Sequence, residues 1–146
     1  MERLPFSTYS KILWLLLILF CIRVVAQIVV YFVDVPFLPS FAHWHSDSIP
    51  YSALVISQLI IIFVMSHVAL KFSRGQVVAN RRIGSGLIVI GGLYCLLMAI
   101  RLITGLAGLS EHDWWDKPIP AVFHLVLALF IIVTGRFHYR FSRIKK

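Results

Sequence analysis

Carboxylates are scarce in this chain of 146 residues: six Asp and Glu stand against 14 Lys and Arg, a formal net charge of +8. Charged residues of either sign make up 14% of it, where an ordinary soluble domain carries about 25%. With so little polar sequence between its apolar runs, the chain has no room for a separate soluble domain. Conventional catalytic signatures are missing as well. There is no HExxH, Walker A, GxSxG or Rossmann glycine fingerprint, and no Ser/His/Asp arrangement within an apolar run. The two cysteines, Cys21 and Cys95, form no CxxC pair and sit inside apolar runs. They read as small polarisable packing residues, and no disulfide framework follows from them.

What the chain has instead is four apolar stretches, at about residues 12–33, 52–70, 83–104 and 119–137, within a composition that is 60% hydrophobic. Roughly 20 helical residues cross a bilayer core, and each stretch comes close to that. The expected fold is all-α: a polytopic integral membrane protein, a four-transmembrane-helix bundle forming one domain over 1–146. Val24-Val25-Ala26 loosely fits a signal-peptide cleavage site. The apolar run around it is too long, however, and Arg23 stands where a neutral region is required, so the first stretch is kept as a span.

The charges sort by side. Arg3, Lys11, Lys71, Arg74, Arg81, Arg82, Arg136, Arg140, Arg143, Lys145 and Lys146 fall at one end of the spans, and only Lys117 lies in the opposite loops. Asp34, Asp47, Glu111, Asp113 and Asp116 are all in those opposite loops, leaving Glu2 with the basic residues. Lysine and arginine asymmetry sets orientation, which puts both termini in the cytoplasm, with outer loops 34–50 and 105–118 and inner loop 71–82. The expected location is a bacterial inner membrane. Solvated positive loops facing anionic lipid account for the net charge, so membrane lipids are the expected partners and nucleic acid is not.

Two patterns point inward from the lipid. Gly91, Cys95 and Ala99 recur every four residues in the third span, with Gly84 one heptad earlier. Small residues at that spacing let backbones approach closely. The face suits packing inside the bundle, or a second copy or partner subunit. The other pattern is polar residues at depth. Arg23, Gln27, Tyr31 and Asp34 make one helical stripe, and Tyr94, Arg101 and Thr104 share a face. Ser57 and Gln58 in the second span and His124 in the fourth lie at a matching depth. An arginine at mid-span costs about 2.5–3.5 kcal/mol on insertion scales, so such residues usually face the bundle interior or a wet cavity. Arg23, Gln27, Gln58, Tyr94, Arg101 and His124 are therefore the candidate ligand-binding residues of an outward-opening polar pocket. Two guanidinium forks would favour anionic or carbonyl-bearing groups. The competing expectations are that Arg101 snorkels to the headgroups and that Arg23 pairs with Asp34 or Asp47 as internal glue.

The histidines supply the remaining candidates. His43, His45 and Asp47 alternate in the first outer loop, a donor set suited to zinc or copper if it meets His112 and Glu111 of the other. His124 and His138 are 14 residues apart, a spacing that stacks two haems in membrane cytochromes; His67 at the level of His138 offers one inner axial pair. A divalent metal and haem are thus the cofactors to look for. The leading functional expectation is an accessory or binding protein holding a lipid, quinone or partner segment. A membrane enzyme acting on a lipid-linked substrate at the outer face, with His43, His45 or His124 as acid/base, is the second. A haem-carrying redox subunit is the third.

Overall fold

The computed structural model describes residues 6–33, 51–108 and 118–142. These hold four helices: α1 (Phe6–Phe32), α2 (Tyr51–Ser73), α3 (Arg81–Leu106) and α4 (Pro118–Phe141). All four are long and apolar enough to cross a membrane. Apolar side chains cover their outer faces as well as the interior: Leu15, Ile22, Val25, Phe63, Ile90 and Leu93 are all exposed. A helix apolar all round suits a membrane span or the core of a large protein, and in lipid only internally bonded backbone can cross.

The helices run up and down in turn. Ser10 meets Ser73 and Gln27 meets Gln58, so α1 and α2 are antiparallel. Tyr94 meets His124, and Gly84 lies against Tyr139, so α3 and α4 are antiparallel too. Phe6 on Phe137 and Arg23 over Phe123 make α1 antiparallel to α4 as well. The backbones approach closest between α3 and α4, with α1 packed on both α2 and α4.

The α3–α4 seam is made of glycine. A Cβ on Gly84 would run into the backbone of Tyr139 and lie 2.9 Å from Gly135 O. One on Gly91 would lie 2.8 Å from Ile132 Cγ1, and one on Gly135 would lie 3.0 Å from Ile88 N. Part of the small-residue face expected from the sequence is thus used within the chain, while Cys95 and Ala99 on it are half-buried.

Both ends of the loop between α2 and α3 are fixed by local chemistry. Gly75 takes a φ of 63°, Gly75 N donates to Phe72 O and Gln76 N donates to Lys71 O. This is a Schellman stop, and its left-handed residue is the glycine. Asn80 then caps α3, its Oδ1 accepting from Arg82 N at 2.9 Å.

Two helices outrun their apolar stretches. α1 begins at Phe6 rather than near residue 12, and α4 continues to Phe141 rather than stopping near 137. The extra turns carry an aromatic cluster in which Phe137, fully buried, touches Phe6, Tyr9, Phe72 and Phe141 with centroids 4.8–5.3 Å apart. Beside it, Ser73 Oγ donates to Ala69 O and so accepts from both Ser10 Oγ (2.7 Å) and Trp14 Nε1 (2.9 Å). Tertiary contact, not hydropathy, sets those helix ends.

Candidate functional site

At the opposite end of the bundle the polar side chains gather at one level. Arg23 and Gln27 are one turn apart on α1, and both are buried. Gln58, from α2, donates through Nε2 to Gln27 Oε1 at 3.0 Å. The guanidinium of Arg23 lies 5.6 Å from the centroid of the Phe123 ring on α4, a cation–π distance. His124, the next residue, meets the Tyr94 hydroxyl of α3 through Nδ1 at 2.6 Å. Arg23 and Arg101 both act electrostatically on His124, and Arg101 also acts on Tyr94. All six residues singled out from the sequence therefore belong to one cluster drawn from four helices.

Both arginines are inside the protein, Arg23 at 6% and Arg101 at 2% exposure. Arg101 thus does not reach along the surface to the headgroups. The polar inventory of the cluster is not closed. Arg23 Nε, Gln27 Nε2 and Gln58 Oε1 are buried with no hydrogen-bond partner among the described residues. A buried donor or acceptor left unpaired costs about 1–3 kcal/mol. On the α1–α2 side, two donors are therefore available to a group with oxygen acceptors, and the Gln58 oxygen to a hydroxyl or N–H donor. Across from them, the Tyr94–His124 pair offers a hydroxyl and an imidazole. With the hydroxyl donating to Nδ1, the ring proton sits on Nε2.

Other expected members fall away from this centre. Tyr31 is about half exposed, and its ring stacks edge-on against Phe32. Ser57 is exposed and bonds back to Leu54 O, and Thr104 bonds back to Ile100 O and Arg101 O. Asp34, His43, His45, Asp47, Glu111 and His112 lie outside the described residues, so the loop metal site and the Arg23–carboxylate pairs have no geometry here. Among the described residues no group of three His, Cys, Asp or Glu comes together. His67 is exposed on α2, whereas His138 is half-buried and its Nδ1 accepts from Asn80 N at 3.3 Å. That bond commits one ring nitrogen of His138 to holding the α2–α3 loop.

Sequence reading missed three features. Phe123 had no distinguishing signal, being one aromatic residue among many. The Ser10–Ser73–Trp14 junction left a faint one, since Ser10 and Trp14 are four residues apart on α1. A cavity of about 680 Å³ was also unanticipated. It is lined by α2, the α2–α3 loop, α3 and α4, from Ile60 to His138, and includes none of the six clustered residues. The chemistry and this space are at different places in the bundle.

Compared with known proteins, the chain matches no family model, no curated protein and no solved structure.

Proposed function

We propose that this chain is a small multi-pass membrane protein that binds a membrane-soluble ligand at the Arg23–Gln27–Gln58–Tyr94–Arg101–His124 cluster. The ligand class is a quinone, or a lipid with a carbonyl or anionic group, or a partner segment presenting one. The observation that carries the reading is the set of buried, unpartnered atoms Arg23 Nε, Gln27 Nε2 and Gln58 Oε1. Lipid cannot satisfy them, and a carbonyl or phosphate oxygen would accept from the guanidinium fork. The charge asymmetry supports cytoplasmic termini and a cluster that opens outward, and the membrane proposed is a bacterial inner membrane.

The test is co-purification. Protein extracted in a mild detergent is analysed by mass spectrometry for bound quinones and lipids, beside Arg23→Leu and the Gln27→Leu/Gln58→Leu pair. The expected result is a species held by the wild type and lost from both variants while helical circular dichroism is retained. A wild type that holds nothing beyond what the folded variants hold would overturn the proposal.

The second reading, an enzyme acting on a lipid-linked substrate, is favoured by one observation: the 2.6 Å Tyr94–His124 hydrogen bond lies in the field of two guanidiniums. An acid/base pair beside an anion-stabilising charge is a catalytic arrangement. Tyr94→Phe separates the two. If the variant keeps the bound species but it now accumulates instead of being converted, the enzyme reading replaces the binding one.

A further inference from the structure

The 680 Å³ cavity is a groove cut between α2 and the α3–α4 pair, and its chemistry changes along its length. Ile60, Ile61, Val64 and Val68 form one wall, Leu87, Leu127 and Ile131 the other, and the buried side chains of Met65, Phe72 and Phe130 the floor. Polar groups occur near one end, the end that carries the basic loop. There Thr134 gives its proton to Phe130 O, and His138 Nδ1 holds Asn80 N. The Lys71 amine and the Gln76 amide remain to meet a ligand, with the other ring nitrogen of His138. Arg74, just after α2, and Arg81 and Arg82, in the first turn of α3, are exposed at the same end of the bundle.

The geometry points to an anionic phospholipid as the occupant, an acyl chain lying in the groove and the phosphate at Lys71 and Gln76. The volume is within the roughly 300–1,000 Å³ usual for small-molecule sites. Apolar walls ending at a basic mouth between helices match an acyl chain ending in a negative headgroup. A second copy of the chain is disfavoured by the same charges, because copies inserted with one orientation would set basic loop against basic loop. This site is separate from the Arg23 cluster and does not depend on the function proposed for it.

Native mass spectrometry of the detergent-solubilised protein, titrated with phosphatidylglycerol or phosphatidylcholine, tests the assignment. The expected result is one phosphatidylglycerol per chain, bound in preference to phosphatidylcholine. Lys71→Glu should reduce that preference about fivefold or more, since one basic residue near the surface is worth about 1 kcal/mol. Val64→Trp, on the half-exposed wall of the groove, should lose both lipids while keeping its helicity, and Gly86→Ala, where a Cβ meets nothing within 4 Å, should behave as wild type. Equal retention of the two lipids by the wild type would overturn the assignment. So would phosphatidylglycerol binding that survives Val64→Trp unchanged, or dimer formation that displaces the lipid.

Discussion

Gln27 and Gln58 face each other inside an apolar bundle and make one hydrogen bond where two amides offer more. If the pair served packing alone, it would be a poor choice, because an unmet amide group at depth lowers stability. Gln27→Leu alone should cost about 1–3 kcal/mol by stranding Gln58. The double leucine variant should recover the wild-type value or exceed it, as apolar replacement of a buried polar pair commonly does. Thermal unfolding followed by circular dichroism in one detergent checks both. A double variant less stable than either single variant would show that the pair is structural glue. At this scale the sequence was unusually informative: an arginine or glutamine in an apolar run has few places to go, so Arg23, Gln27, Gln58 and Arg101 were legible. Tyr31 was not, since tyrosine is equally at home at the edge of the lipid and its ring stays half exposed.

Between elements, the α3–α4 seam separates glycines that are needed from glycines that are not. Gly84 and Gly86 share a helix and differ by two positions, yet a Cβ on Gly84 meets backbone while one on Gly86 meets nothing within 4 Å. Gly84→Ala should therefore destabilise the fold by about 1–3 kcal/mol. Gly86→Ala should be neutral or stabilise by up to about 1 kcal/mol through helix propensity. Parallel melting curves of the two variants decide it, and equal losses would mean that the seam does not pack as described. The four helices themselves were legible from run length, because lipid imposes a fixed span. Their ends were not. Phe6, Tyr9 and Phe141 extend α1 and α4 through contact with Phe137, and no local pattern announces a ring cluster assembled from three helices.

For the molecule as a whole, the arrangement fixes which segments share a side. The start of α1, the α2–α3 loop and the end of α4 meet around Phe137, Ser73 and Asn80. With the two native cysteines replaced, Arg74→Cys and Ser142→Cys should be modified by a membrane-impermeant thiol reagent from the same face, and only after that face is exposed in inverted vesicles. Labelling of either in intact cells would reverse the orientation proposed here. The groove was invisible in the sequence for a physical reason. Its walls are ordinary Ile, Leu and Val, which face lipid and one another alike, so only the spacing of the helix axes reveals it.

The backbone approaches divide the chain into an α1–α2 hairpin and an α3–α4 hairpin, tied through α1 against α4. The peptide link between them, Gln76 to Asn80, is capped on both sides by bonds that each hairpin makes locally or to α4. Covalent continuity should then be dispensable. Two polypeptides divided between Val77 and Val78, expressed together, should insert independently and co-purify through a tag on either half. Adding Gly84→Ala to the second half should weaken that half internally without changing which surface recognises its mate.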